Sequence, residues 1–162
     1  MSIYDSDTIL ARARGAIGKK CIYTLGKGGM DPTAEAPWDL ALECDCSGFA
    51  CWCLGISRLQ AGKWLGTDAI DFDAEMPGGL FDQVPREEAQ PGDVIVFPHR
   101  VRGHHGHIGI VGSIGFTGPE TAIHCSLGNW TRTNDAIQET NCGVFWLNRA
   151  IVARFTPPTA IA

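Results

Sequence analysis

The apolar residues near the start of the chain recur at helical spacing. They are Ile9, Leu10, Ala13 and Ile17. Residues three and four positions apart lie on one face of an α-helix, so this pattern predicts a helix over residues 6–18. Ser6 or Asp7 is its expected N-cap, because a short polar side chain at that position can accept a hydrogen bond from an unpaired backbone N–H group.

A second helix is predicted from Cys46 to Leu54, where nearly every position is apolar. Asp45 is suited to cap its first turn, and Gly55 can adopt the left-handed conformation that ends many helices. This helix is therefore expected to be buried. The preceding stretch, residues 21–38, is rich in glycine and proline and is predicted to form an irregular loop.

Short apolar runs bounded by turn residues follow in the second half of the chain and predict strands. The predicted strands are 94–97, 107–111 and 121–125, with two more within 143–155. Helices followed by a run of strands are typical of an α+β domain with an antiparallel sheet. We expect a single domain over residues 1–162, because this length suits one hydrophobic core.

The composition argues against several classes of protein. The chain has 13 Lys and Arg against 18 Asp and Glu, a formal net charge of −5, which is atypical of nucleic-acid-binding proteins. No apolar run is long enough to span a bilayer, so insertion into a membrane is not expected. Residues 1–20 lack the apolar segment of a secretory signal, so none is expected in this chain.

The seven cysteines are expected to be mostly reduced, because no secretory signal is evident. They are Cys21, Cys44, Cys46, Cys51, Cys53, Cys125 and Cys142. Within a helix, Cys46 and Cys53 would lie two turns apart, about 10 Å along the axis, which is too far for one metal ion. We therefore expect neither a metal site nor a cofactor, and most of the thiols are predicted to be small buried apolar groups.

Cys46 is the candidate nucleophile among these thiols. The thiolate is the reactive form, and unpaired N–H groups at a helix N-terminus lower the pKa of a thiol in the first turn. The same N–H groups can bind a developing oxyanion. Cys51 and Cys53 lie inside the helix, and Cys44 precedes its cap, so neither position offers this advantage.

A nucleophilic cysteine needs a base, usually histidine, and the base needs an orienting group. His107 opens one predicted strand and His124 lies within another. If these strands pair, the two rings can lie side by side, and strands hold a side chain more precisely than a loop does. The remaining histidines, in the loop before His107, are His99, His104 and His105. We therefore predict His107 as the base and His124 as the orienting group.

Four segments in this order resemble the NlpC/P60 cysteine peptidases. They are Asp45–Phe49, Pro91–Phe97, Gly106–Gly112 and Ala122–Ser126. The glycine-rich stretch from Tyr23 to Gly29 is also similar to the one that precedes the nucleophile in that family. The resemblance covers residues 10–155 and implies a papain-like α+β fold, in which N-terminal helices carry the nucleophile and pack on a C-terminal antiparallel sheet.

The resemblance implies a role for each matching residue. Cys46 would be the nucleophile of a Cys-His-His triad with His107 and His124. Tyr23 matches a tyrosine that helps to polarise the substrate carbonyl, although a core aromatic with a satisfied hydroxyl is the alternative. Ser47 would contact substrate, or would merely tolerate the helix start.

The implied function is hydrolysis of an amide bond in the stem peptides of bacterial peptidoglycan. Which bond is cut is left open, as is the oligomeric state. Without a secretory signal, the protein would reach the wall as part of a phage or gene-transfer particle, as an injected effector, or as a piece of a longer protein. Two alternatives are an acyltransferase on the same scaffold and a non-catalytic module that binds zinc through His104, His105, His107 and cysteines.

The loop over residues 98–106 is basic in an otherwise acidic chain. It contains Arg100 and Arg102 besides its histidines. It is either a solvated loop or a clamp for an anionic substrate group such as a peptide carboxylate.

Overall fold

The computed structural model describes residues 5–99 and 105–156. The helices are α1 Ser6–Gly15, α2 Cys46–Leu54, α3 Thr67–Glu75, α4 Leu127–Thr133 and α5 Gly143–Leu147, with a 3₁₀ turn at Arg86–Glu88. The longer strands are β5 Phe81–Val84, β6 Val94–Phe97, β7 His107–Gly115, β8 Gly118–Cys125, β9 Ile137–Asn141 and β10 Ile151–Phe155. Four two-residue strands are β1 Ile22–Tyr23, β2 Glu43–Cys44, β3 Leu59–Gln60 and β4 Lys63–Trp64.

The six longer strands form one antiparallel sheet in the order β5-β10-β6-β7-β8-β9. Helix α2 packs against β7 and β8 at its centre, and α1 packs against α2. The main core therefore lies between this pair of helices and one face of the sheet. This arrangement confirms the predicted papain-like α+β architecture.

Local chemistry fixes both ends of α2 as predicted. The Asp45 carboxylate accepts a hydrogen bond from the Gly48 N–H at 2.8 Å, and Gly55 ends the helix in the left-handed region at φ 73°. Every residue of the helix is buried, as its apolar composition predicted.

Gly48 lets the glycine-rich loop approach the start of α2. A Cβ atom there would lie 2.7 Å from the carbonyl oxygens of Lys27 and Gly28, closer than side chains tolerate. Gly29, at φ 73°, faces Gly48 from the loop with equally little room. The irregular loop predicted from its composition is thus packed tightly against the helix that carries Cys46.

Two sequence predictions need correction. Asp5, rather than Ser6 or Asp7, caps α1 by accepting a hydrogen bond from the Thr8 N–H. The segment 143–155 holds one strand, β10, instead of two. The first part of this segment forms α5. The Asn141 side-chain oxygen accepts a hydrogen bond from the Gly143 N–H at the start of this helix, and the helix places Phe145 in the core.

In the described part of the chain, no helix has the length and apolar character needed to cross a membrane.

Candidate active site

Cys46 is the first residue of α2 and is only 5% exposed. The nearby backbone N–H groups of Ile108 and Ser47 act to lower the pKa of its thiol. Burial and the neighbouring Asp45 carboxylate outweigh them and raise the pKa of Cys46 to about 12. The prediction that the helix terminus makes this thiol acidic is therefore wrong, and the sulfur is protonated at neutral pH.

His107 opens β7, the strand that packs against α2, and directly precedes Ile108, whose backbone N–H acts on the Cys46 thiol. Its Nε2 atom lies 2.7 Å from Nδ1 of His124 on the adjacent strand β8. This contact leaves the Nδ1 atom of His107 outside the histidine pair. The structure thus brings together the two rings that the strand pattern predicted.

The chain of hydrogen bonds continues to Thr140 on β9. His124 Nε2 lies 2.7 Å from the Thr140 hydroxyl, which donates to the Asn141 carbonyl oxygen at 3.2 Å. Because the Thr140 hydroxyl donates its proton to Asn141, it must accept a hydrogen bond from His124 Nε2–H. His124 Nδ1 then carries a lone pair and accepts a hydrogen bond from His107 Nε2–H. The network therefore assigns His107 the tautomer whose Nδ1 atom carries a lone pair, as a base requires.

The Phe145 ring packs against both imidazoles. Phe145 stacks on His107 with ring centres 5.2 Å apart and meets His124 edge-on at 5.5 Å. Burial, together with the proximity of His124, lowers the pKa of His107 to about 3, and burial and then Arg132 lower the pKa of His124 to about 4. Both rings are therefore neutral at physiological pH.

Gly109 provides room for this arrangement. A Cβ atom at this position would lie 3.1 Å from both the His124 Cβ and the Phe145 ring. Thr140, Phe145 and Gly109 were not singled out from the sequence, because each acts through neighbours that are distant along the chain.

Tyr23, on β1, lies half-buried in the wall of the cleft beside the histidines. Burial and the proximity of Cys46 and Asp45 raise the pKa of its phenol well above the usual range. The hydroxyl is therefore a neutral hydrogen-bond donor in the wall of the cleft.

Ser47 does not reach the cleft. Its hydroxyl accepts a hydrogen bond from Arg58 at 2.8 Å and donates to Asp45, and the residue is 5% exposed. These contacts favour the second of the two roles considered, a residue that suits the helix start, and a substrate contact by Ser47 stays a prediction. Ser47 belongs to the buried group that holds the start of α2.

Arg58 is the centre of that buried group, which the sequence did not reveal. Its side chain is 1% exposed and forms an ion pair with Asp45 at 3.0 Å. It also donates to the carbonyl oxygens of Lys27 and Gly28 and lies 4.0 Å over the Trp64 ring. One guanidinium therefore joins the cap of α2 to the glycine-rich loop.

A cleft of about 750 Å³ opens beside Tyr23 and the two histidines. Thr140 and Arg132 line it as well, as does the exposed His105. The structure describes His99 and His105 of the basic loop, but its other basic residues lie outside the described residues. They are Arg100, Arg102 and His104.

The predicted zinc-binding alternative has no support in the described residues. Within 5–99 and 105–156, no group of three or more His, Cys, Asp or Glu side chains could hold a metal ion. His105 and His107 do not form such a group with the cysteines there, and all seven cysteines are free and buried.

Comparisons with known proteins identify a domain family and a similar fold. The CHAP domain model matches residues 36–129, more than half of the chain, and no curated protein matches it. The fold is similar to that of a lipoprotein-like protein of the NLP/P60 family from Staphylococcus aureus, with a TM-score of 0.53 and 22% identity. That alignment covers 93% of this chain but 41% of the staphylococcal chain, so this chain spans less than half of that protein. The chain therefore belongs to the CHAP domain family, and it shares the fold of a protein from the NLP/P60 family that its motifs indicated.

Proposed function

We propose that this protein is a thiol hydrolase that cuts an amide bond in the stem peptides of peptidoglycan, with residues 1–162 acting as one catalytic domain. Members of the CHAP and NlpC/P60 families are typically hydrolases that act on peptidoglycan. The observation that carries the proposal is the hydrogen-bonded chain of His107, His124 and Thr140 on the sheet against which the helix that begins at Cys46 packs.

In the first step, His107 Nδ1 removes the proton from the Cys46 thiol while the sulfur attacks the amide carbon. Because the pKa of Cys46 is raised to about 12 and that of His107 is lowered to about 3, the resting pair is a neutral thiol and a neutral imidazole. Proton transfer therefore accompanies the attack and is driven by formation of the carbon–sulfur bond. His124 holds the ring in its reactive tautomer and stabilises the imidazolium that forms.

The carbonyl oxygen becomes an oxyanion as the sulfur bonds to carbon. The backbone N–H of Cys46 is one of the unpaired donors at the start of α2, and the neutral Tyr23 hydroxyl is a second donor beside it. The N–H of Cys46 belongs to a capped helix turn, so it can stabilise the charge without rearranging.

Collapse of the intermediate breaks the carbon–nitrogen bond. The His107 imidazolium gives its proton to the departing amine, leaving a thioester on Cys46. Water then attacks the thioester, His107 takes a proton from that water, and the carboxylic acid leaves as the Cys46 thiol is restored.

Purified muropeptides provide the test of the reaction. The wild-type protein should release two products whose masses sum to the substrate plus one water, and Cys46→Ala should abolish their release. Cys51→Ala is the matched control, because this thiol is buried in the same helix and its pKa is also raised to about 12. Full activity in Cys46→Ala would contradict the proposal, as would loss of activity in folded Cys51→Ala alone.

A further inference from the structure

Arg132 is the one charged feature of the described cleft that the proposed mechanism leaves unused. It lies on α4, is exposed, and donates from Nη2 to the Asn129 side-chain oxygen at 3.0 Å. Asn129 is fully buried, and its amide nitrogen donates to the carbonyl oxygens of His124 at 3.1 Å and Ala136 at 3.2 Å. A buried amide therefore holds this guanidinium next to the strand that carries the orienting histidine.

The charges around the cleft leave Arg132 available for a ligand. Although the chain has 18 acidic residues, none of those the structure describes lines the cleft or forms an ion pair with Arg132. Glu139 on β9 is near in sequence to the cleft residue Thr140, but alternation along the strand directs it to the other face. There its carboxylate pairs with Arg14 at 3.2 Å and accepts from Thr121 at 2.7 Å.

The rest of the cleft is suited to an extended peptide. Ser126, Asn141 and Asn148 line it with neutral polar groups, whereas Leu127 and Val144 contribute partly exposed apolar surface. A ligand that matches this lining has amide groups, short alkyl segments and one anionic group placed at the arginine.

We propose that Arg132 binds a carboxylate of the stem peptide close to the bond that is cut, so that the cleft selects peptides with a free carboxylate over their amidated forms. This inference rests on the proposed function and adds the substrate class. Arginine presents parallel N–H donors that match the two oxygens of a carboxylate, and amidation removes both the charge and one acceptor. A bound carboxylate would also offset the positive charge that helps to lower the pKa of His124.

Two muropeptides that differ only in one group test the inference. One carries the free carboxylate of its glutamyl residue and the other carries a carboxamide there. We expect the wild-type protein to cleave the carboxylate form with a kcat/KM at least about tenfold higher, since a hydrogen bond to a charged group contributes on that scale. Arg132→Gln should bring the ratio of the two kcat/KM values to about 1, and Arg132→Lys should keep an intermediate ratio.

Arg14→Gln is the matched control for the change in charge. It removes an arginine from the opposite face of the sheet, and its ratio should equal that of the wild type. Equal cleavage of both muropeptides by the wild type would overturn the inference, as would an unchanged ratio in Arg132→Gln with both rates reduced. Cleavage of neither muropeptide, or equal rates for wild type and Cys46→Ala, would instead overturn the proposed function on which the inference rests.

Discussion

The two halves of the candidate site are held by different kinds of interaction. On the nucleophile side, a buried ion pair between Arg58 and Asp45 fixes the start of α2. On the imidazole side, neutral hydrogen bonds run from His107 through His124 to Thr140 at the edge of the cleft. The first arrangement is part of the core, so damage to it should appear as lost stability. Damage to the second arrangement should chiefly lower catalytic activity. Protonation of its histidines in acid should lower stability as well.

The largest effect is expected from breaking the buried ion pair. Arg58→Met should lower the free energy of unfolding by about 3–5 kcal/mol, because it leaves Asp45 as an uncompensated buried charge. Denaturant titration measures this change. Adding Asp45→Asn to Arg58→Met should recover part of the loss, since asparagine still caps a helix but carries no charge.

An exposed ion pair provides the contrast. Arg14→Gln breaks a pair whose side chains are 47% and 26% exposed, so it should cost less than about 1 kcal/mol. Equal losses for Arg58→Met and Arg14→Gln would contradict a structural role for the buried pair.

The next largest effect is expected from acid, which should lower the free energy of unfolding through the two histidines. The pKa values of His107 and His124 are lowered to about 3 and about 4 in the folded protein, below their usual value near 6.5. Between pH 6.5 and 4.5 the unfolded chain therefore binds more protons than the folded one, so the free energy of unfolding falls as pH falls. The slope is at most about 1.4 kcal/mol per pH unit for each histidine, and less for the half-buried His107.

Chemical denaturation at several pH values measures that slope. His124→Asn should flatten it, because one of the two titrating groups is gone. A slope in this window that is the same in the variant and the wild type would show that other groups titrate there.

A smaller effect, on catalysis alone, is expected from Thr140→Val. Removing the hydroxyl deletes one hydrogen bond to His124 and should lower kcat/KM about tenfold, with kcat reduced and KM little changed. Thr140→Ser keeps the hydroxyl and should restore most of the activity. A loss in Thr140→Ser as large as that in Thr140→Val would mean that the methyl group, rather than the hydrogen bond, is what matters.

The same division explains what could be predicted from the sequence. The start of α2 and both its caps depend on neighbouring residues, so Asp45, Cys46 and Gly55 were placed correctly. The pairing of His107 and His124 followed from alternation along two adjacent strands.

Effects that depend on distant packing could not be predicted in this way. Thr140 is an ordinary strand residue until β9 pairs with β8, and Arg58 lies in a stretch with no clear periodicity. The pKa of Cys46, by contrast, was misjudged because burial and the Asp45 carboxylate, both of which the sequence indicated, outweigh the effect of the helix terminus.

The most direct test of the account is to identify which sulfur carries the acyl group during turnover. Muropeptide is mixed with excess protein, quenched in acid within milliseconds to seconds, and the digested protein is mapped by mass spectrometry. We expect a thioester adduct on Cys46 alone among the seven cysteines, with the mass of the acyl product. An adduct on another cysteine, or cleavage that proceeds undiminished in Cys46→Ala, would contradict the account.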